Sequence, residues 1–465
     1  MSALYGIDEI LAAAGGEARD VAADRVSSIS IDSRELAPGA LFVAIRGENF
    51  DGHDFVAEAI KAGAVAALVS RDRAEALSGL PLIVAEDALA GLYGLAAFSR
   101  SRSKASIIAV TGSVGKTSTK EALRVALEAN GKTHASIRSF NNHWGVPLML
   151  ARMPADTEYG VFELGMSAAG EITPLSKLVR PHVAVVTTVA PAHLEFFASE
   201  AAIADAKAEI FSGVEPDGRA IIGTDHRHVE RLTTAAAAAG LSTMTYGFAT
   251  GDVTISNYRA TQSGATGHIE GHGLSLEVAI ATAGRHMLAN AVAALLAARA
   301  VGGDVEKSLA ALASHGAPEG RGAAALLGDP GNPIRLIDES YNANPTSMRA
   351  ALEVFAQMPA PGRRVLVLGD MRELGPASAD YHTALADSVV AARPDRVFLV
   401  GEHMAKLADA LPAALVAGRA QGVDEIADAV LETLAPGDSV MLKGSNGVKL
   451  GALVARIRDR FGVKR

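Results

Sequence analysis

The chain has no cysteine, a single tryptophan and only 5% aromatic residues in a length of 465. Without cysteine there are no disulfides, thiol nucleophiles or thiolate-held metals. Carboxylate, hydroxyl, imidazole and amine groups remain for any ion, and a hard cation such as Mg²⁺ suits that inventory. With so few aromatics the cores must be built from Ala, Val, Leu and Ile, which α/β folds allow. Long apolar runs are missing too: even Ala291–Leu296 lies between Arg285 and Arg299, so no membrane span is expected. The net charge is −9 and no dense Lys/Arg stripe offsets it, which argues against nucleic acid as a partner and leaves any anionic substrate to local positive charge. The segment Met1–Glu9 lacks a basic region followed by an apolar one, so no signal peptide and a cytoplasmic location are expected. There is no G-x-G-x-x-G, and hence no argument for NAD.

What is present is a phosphate-binding loop. Ile107-Ile108-Ala109-Val110 is a strand-like run that turns through Thr111-Gly112-Ser113-Val114-Gly115 into Lys116-Thr117-Ser118. Glycines let successive N–H groups face a phosphate, a lysine adds a point charge near the β/γ-phosphates, and a threonine hydroxyl can ligate Mg²⁺. Ala122, Leu123, Ala126 and Leu127 then give one apolar helix face and Asn130-Gly131 a stop, placing the phosphates at a helix N-terminus. ATP or GTP is the expected ligand. The turn is tighter than the common G-x-x-x-x-G-K-[ST] form, since Val110 stands where its first glycine would be.

Length alone predicts about three domains. Residues 1–102 alternate strand-like and helix-like runs around Ser28–Ile31, Ala40–Ala44 and Ala64–Val69. Residues 103–318 carry the loop, buried-strand candidates at Val161-Phe162 and Val183–Val186, and an Ala/Leu helix around Met287–Ala300. Residues 319–465 hold three apolar runs that end in Gly369, Gly401 and Gly444, the pattern of a parallel sheet with its loops at the carboxyl edge. The expected class is α/β throughout: an N-terminal α/β module, a central P-loop ATPase-type domain and a C-terminal Rossmann-like domain.

The compact Thr-Gly-x-x-Gly-Lys-Thr-x-Thr loop resembles that of the Mur ligase and folylpolyglutamate synthase superfamily. Further segments resemble the Mur ligase family over most of the chain. They are Asp32-Ser33-Arg34, Gly39–Ala44, Gly47 and Asp51–Phe55; Asn141-Asn142 with Gly145-Val146-Pro147; Glu163; Ala-His193-Leu-Glu; Ala-Lys207-Ala-Glu-Ile; Asn290 after Gly284-Arg285-His286; Gly320-Arg321; Asp338–Pro345; and Leu368–Gly375. Ser-Tyr-Asn-Ala-Asn-Pro and Gly-Asp-Met-x-Glu-Leu-Gly are similar to the branch that joins D-alanyl-D-alanine to UDP-MurNAc-tripeptide. The chain departs from the family pattern at His143 (for Glu), Leu164 (for Met), Thr188 (for Asn) and Asn446, where Lys-Gly-Ser-Asn replaces Lys-Gly-Ser-Arg and a cation is lost.

The resemblance implies an ADP-forming amide ligase of peptidoglycan precursor synthesis that works through an acyl phosphate on small-molecule substrates, as a monomer. It implies ATP contacts for Thr111, Gly112, Ser113, Gly115, Lys116, Thr117, Ser118, Asn290, Arg321 and Asp338. Thr117, Glu163, His193 and Lys207 would hold Mg²⁺, Lys207 as a carbamate formed with CO₂, and Lys116, Lys207 and His193 would act in catalysis. Ser33, Arg34 and Gly47 would meet the UDP moiety, Asn141 and Asn142 the muramoyl-peptide, and Tyr341, Asn342 and Asn344 the junction where the dipeptide amine arrives. Read without the resemblance, Glu163 is equally a loop glutamate, His193 a packed or surface residue, and Lys207 a solvated helix lysine. Asn290 is a polar-face residue, Arg321 and Asp338 are salt-bridging residues, Ser33-Arg34 is a surface turn, and the asparagine pair is a turn. The alternatives in function are a ligase that adds a diamino acid to UDP-MurNAc-dipeptide and a nucleotide-dependent switch.

Overall fold

The computed structural model describes residues 3–192, 194–261, 264–358 and 360–462. His193, assigned above to metal and catalysis, therefore lies outside the described residues. Three sheets dominate. The first has five strands in the order Glu17–Arg19, Leu82–Ala85, Ala66–Ser70, Ala40–Val43 and Ser28–Ser30, parallel except for the first. The second has nine, running Leu274–Ile280, Ala265–Gly271, Val253–Ala260, Ser242–Gly247, Arg219–Gly223, Val183–Val186, Ser106–Thr111, Tyr159–Glu163, Thr133–Ala135. Ala265–Gly271 pairs antiparallel with both of its neighbours, Leu274–Ile280 and Val253–Ala260, and every other neighbouring pair is parallel. The third has six, Ala323–Leu327, Ile334–Glu339, Ser439–Lys443, Arg364–Gly369, Arg396–Val400, Val416–Ala420, again parallel but for the first.

The strands of these sheets read as unbroken apolar runs because both faces are covered. Ile108, Ala109, Val110, Val161, Phe162 and Val183–Val186 are all buried, as parallel strands sandwiched by helices require. In the nine-stranded sheet the chain leaves Ser106–Thr111 toward Thr133–Ala135 and Tyr159–Glu163 on one side, then crosses to Val183–Val186 and Arg219–Gly223 on the other. Ser106–Thr111 is thus the topological switch point, and the crevice beyond its carboxyl end is where open α/β sheets bind ligands.

The apolar cores divide unevenly. Tyr5, Ile10, Ile29 and Leu41 belong to the same cluster as Ile107, Phe162, Leu164 and Phe211, so the first and second sheets share one continuous core. The helix Ala88–Arg102 packs on Gly145–Ala151 along this seam, and the Tyr5 hydroxyl donates to the Ala151 carbonyl (2.5 Å). The two clusters that fill the third sheet draw only on residues from Ala325 onward. A turn closed by the Arg321 N–H on the Pro318 carbonyl (3.0 Å) joins it to the rest. Gly320 (φ 73°) and Gly322 (φ 100°) flank that turn in left-handed backbone, and a Cβ on Gly320 would press on Tyr341.

Candidate active site at the crevice between the second and third sheets

Gly112 (φ 152°) and Gly115 (φ 91°) shape the loop after the switch-point strand, and Gly115 caps the helix Lys116–Glu128. A side chain at Gly112 would collide with Thr187, and one at Gly115 would strike the Asn290 carboxamide. The loop is held from the next strand: Ser113 N–H donates to the Thr188 carbonyl (2.9 Å), Ser113 Oγ to the Ala190 carbonyl (3.0 Å), and Thr187 Oγ1 to the Val114 carbonyl (2.6 Å). Thr188 thus contributes its backbone, which does not depend on which side chain stands there. Thr111 and Ser118 are buried beneath the loop. Lys116 Nζ donates to the Gly112 carbonyl (2.7 Å), folding the cation back over the loop.

Glu163 ends its strand and is 1% exposed. Its Oε2 accepts from Thr117 Oγ1 (2.8 Å) and its Oε1 from Asn141 Nδ2 (2.7 Å). The loop-glutamate alternative thus gives way to a buried carboxylate fixed against the phosphate loop. Lys207 differs most from its bland reading. It lies in the helix Glu200–Ala208 as expected, yet is 1% exposed rather than solvated. Burial pulls its pKa well below the ordinary lysine value and the charge of Lys116 adds to this, with no carboxylate opposing. Lys116 is likewise lowered by burial, with Glu163 opposing and Arg321 reinforcing. Lys116 thus acts on Lys207 as a like charge, and Glu163 is the carboxylate that opposes the lowering at Lys116.

The crevice beyond, about 1010 Å³, is lined from the second sheet by Ser113–Ser118, Asn141, Asn142, Glu163 and Asn290 and from the third by Arg321, Glu339, Tyr341, Asn342, Asn344 and Lys443. Arg321 lies over the Tyr341 ring, 4.3 Å from its centroid. Asn290 is buried against Gly115, so it sits at the loop rather than on a polar surface. Asn142 Oδ1 accepts from Gly145 N–H (2.9 Å), so this asparagine also serves the turn that opens a helix. Asn344 caps the helix Pro345–Gln357 through Ser347, while Asn342 gives its carbonyl to Lys443 (3.1 Å).

Other expected residues stand elsewhere. Asp338 is not on the crevice wall: it is buried, its Oδ1 accepting from Ser340 Oγ (2.6 Å), and Arg458 stands 3.8 Å from its other oxygen within the same domain. Its neighbour Glu339 is the one that lines the crevice. Ser33 and Arg34 form a turn in which Arg34 is exposed and paired with Asp32 (2.7 Å), a contact that holds the Asp32 carboxyl down to about 2, and Gly47 N–H donates to the Phe50 carbonyl (2.9 Å). These three do not line the crevice. His143 is exposed and does not line the crevice. The sequence reading missed a wall of Tyr246, Phe248 and Tyr258 with Arg285 stacked 3.9 Å from the Phe248 centroid. Two strand segments and a helix start contribute it, and only Arg285 fell within a recognised motif.

Family profiles match in three places: "Mur ligase family, catalytic domain" over residues 25–92, "Mur ligase middle domain" over 110–298 and "Mur ligase, glutamate ligase domain" over 324–446. A curated relative from Escherichia coli (strain K12), named UDP-N-acetylmuramoyl-tripeptide--D-alanyl-D-alanine ligase, is 39% identical over 378 residues, 81% of this chain and 82% of that one. The chain belongs to the Mur ligase family. Another Mur ligase of the same name, from Bacillus subtilis (strain 168), is 33% identical across 92% of both chains. Among solved structures, MurF from Acinetobacter baumannii superposes with a TM-score of 0.85 at 30% identity, covering 98% of this chain and 99% of that one. MurF ligase from Thermotoga maritima, solved with ADP, gives 0.78 at 26%, covering 93% and 97%. The three-sheet layout is that of the Mur ligases.

Proposed function

We propose that the chain is an ATP-dependent, ADP-forming ligase that joins D-alanyl-D-alanine to UDP-MurNAc-tripeptide, giving the pentapeptide precursor of peptidoglycan. Relatives bearing that name at 39% and 33% identity support the reading. The observation that carries it is the crevice itself: a phosphate loop with Lys116, and Lys207 buried near it, on one side, and the wall of Arg321 and Tyr341–Asn344 from another domain opposite.

The chemistry follows from the charges. Amide formation needs a carboxylate oxygen made into a leaving group, so the γ-phosphoryl of ATP passes to the tripeptide carboxylate and ADP departs. Lys116 and the loop N–H groups stabilise the charge spread over the transferring phosphoryl group, and the phosphates in turn restore the full charge that burial costs Lys116. The dipeptide amine then attacks the acyl carbon, the C–O bond to phosphate breaks, and the amine gives up its proton. Enclosure between the domains keeps water from the acyl phosphate.

Thr117 Oγ1 and the Glu163 carboxylate are hard oxygen donors that fit Mg²⁺, which keeps waters and phosphate oxygens among its ligands. Among the described residues no three acidic or histidine side chains converge on a metal position. Bound there, Mg²⁺ would neutralise charge on the β and γ oxygens. Lys207 adds to this set as a carbamate: burial and Lys116 favour its uncharged amine, the form that attacks CO₂, forming an N–C bond and releasing a proton. Ser33, Arg34 and Gly47 bind the UDP end, Asn290 acts on the nucleotide side, and residues 1–102, 103–318 and 319–465 are the three domains. We take the enzyme to be a cytoplasmic monomer; no helix among the described residues is long and apolar enough to cross a membrane.

The test is ADP release with Mg²⁺-ATP and UDP-MurNAc-tripeptide, with and without D-alanyl-D-alanine, beside UDP-MurNAc-dipeptide plus a diamino acid. The expected result is turnover only with the first pair complete and a pentapeptide by mass. Turnover with the second pair alone would move the enzyme to the preceding step. A ¹³CO₂-derived carbamate resonance lost in Lys207→Gln checks the modification; an unmodified Lys207 with CO₂ supplied contradicts it.

A further inference from the structure

Lys120 stands on the phosphate-loop helix Lys116–Glu128, one turn beyond Thr117, with its side chain 0% exposed. A lysine is almost never fully buried unless it is paired, and this one does not line the crevice. Its Nζ donates to Glu121 Oε1, to the Ser136 carbonyl (2.7 Å) and to the Arg138 carbonyl (3.2 Å). Those three bonds use all the donors a lysine has, so none is left for a substrate or a phosphate. What this side chain does, it does by holding the 136–138 segment.

That segment follows the strand Thr133–Ala135 and leads to Asn141 on the crevice wall. Its first residue is tied to the strand that ends in Glu163, Ser136 N–H donating to the Val161 carbonyl (2.9 Å). Arg138 lies in left-handed backbone (φ 50°), which costs a residue other than glycine about 1–2 kcal/mol, so the bend has to be held from outside. Beyond the bend, Asn141 Nδ2 donates to Glu163 Oε1 (2.7 Å), and Glu163 Oε2 accepts from Thr117 Oγ1 (2.8 Å). The contacts therefore close a ring, from Thr117 through Glu163 and Asn141 to the 136–138 carbonyls, then through Lys120 back to the helix that carries Thr117. A second tie reaches the bend from the first domain, where Arg138 Nη2 pairs with Glu35 Oε1 (2.6 Å). Those side chains are 63% and 53% exposed, so that pair contributes about 0–1 kcal/mol, and the buried lysine is the stronger hold.

We propose that Lys120 is a positioning residue for the cation-binding carboxylate: by fixing the bend at 136–138 it sets Asn141, and through Asn141 the aim of Glu163 beside Thr117. This rests on the reading above in which Glu163 and Thr117 offer their oxygens to Mg²⁺. A lysine that only fills the core is the competing account. It predicts a loss of stability with no selective loss of metal, whereas partners that orient a metal ligand act on affinity for the ion.

The experiment titrates Mn²⁺, standing in for Mg²⁺ and followed by its electron paramagnetic resonance signal, into the full-length protein with ADP bound. Affinity for ADP alone is measured in EDTA. The variants are Lys120→Met, Lys120→Arg, Asn141→Ala and Lys120→Met/Asn141→Ala. The expected result is that Lys120→Met raises the Kd for Mn²⁺ about tenfold or more and leaves metal-free ADP binding within about twofold. Lys120→Arg, which keeps N–H donors for the two carbonyls, should recover much of the loss. The double variant should bind Mn²⁺ no more weakly than Asn141→Ala, because both changes break the same link. Should Lys120→Met not fold, Lys120→Gln takes its place in the same comparison. Unchanged Mn²⁺ affinity in the Lys120 variant, losses that add in the double variant, or an equal weakening of ADP without metal overturns the proposal. Failure of amide formation in the unsubstituted protein while Mn²⁺ binds overturns the ligase reading instead and leaves this comparison intact.

Discussion

The first and second sheets meet through a shared apolar core, whereas the second and third meet across a crevice of about 1010 Å³ lined by charged and amide side chains. At the first junction Tyr5, Ile29 and Leu41 pack with Ile107, Phe162 and Leu164, and Arg152 Nε donates to the Ile29 carbonyl (2.7 Å). At the second, the Gly320-Arg321-Gly322 turn carries the chain over, and a contact such as Glu195 N–H to the Glu373 carbonyl (3.2 Å) touches from the far side. Close packing resists displacement, while a wet crevice bridged by a glycine turn admits rigid-body movement. The difference sets the two junctions apart: packing fixes the first sheet to the second, and the crevice leaves the third sheet the freedom to move against them.

Substitutions on the two sides of this comparison should therefore fail in different ways. The largest effect is expected from Lys116→Ala, which removes the cation of the phosphate loop and should lower kcat about 10³-fold, with a melting temperature within about 2 °C of the parent. A rate loss matched by a large drop in melting temperature would blur the comparison. Phe162→Ala, in the shared core, should do the opposite and cost about 3–5 kcal/mol in denaturant unfolding. The first and second domains should unfold together in that variant; release of the first domain alone would break the picture of one core.

A smaller effect is expected from acid. His134 Nε2 contacts the Met149 carbonyl (2.8 Å) under the shared core, and burial lowers its pKa from 6.5 to about 4. Between those values the unfolded chain takes a proton that the folded chain refuses, so stability falls as pH drops through that window, by about 3 kcal/mol. His134→Gln should flatten the slope seen in urea titrations at pH 4.5 and 7. The smallest effect is that of Tyr5→Phe, which loses one buried hydrogen bond across the seam and should cost about 1 kcal/mol without changing turnover.

Much of this architecture could be read from the residues. The buried runs Val183–Val186, Ala40–Val43 and Val365–Leu368 have no polar interruption, and parallel strands covered on both faces leave no alternation to confuse. The phosphate loop was legible because its glycines, lysine and threonine are contiguous. Lys207 was not: its helix neighbours Ala206 and Ala208 say nothing of what packs against them, and the charge that acts on it, Lys116, is remote in sequence. Only the family resemblance raised it. Asp338 shows the converse, since a motif places a residue in a segment but not on a face. On the Ile334–Glu339 strand the side chain points alternate sides, and it is Glu339 that reaches the crevice. The shared core escaped for a related reason, because nothing in Tyr5 or Ile29 names its partner.

The central claim is that the tripeptide carboxylate becomes an acyl phosphate in this crevice. The direct measurement uses UDP-MurNAc-tripeptide labelled with ¹⁸O in the reacting carboxylate, together with ATP and D-alanyl-D-alanine, and follows the label by mass. The account predicts one ¹⁸O in the inorganic phosphate released for each amide formed, with ADP as the other product. Label in AMP, or phosphate released without label while amide forms, would contradict it.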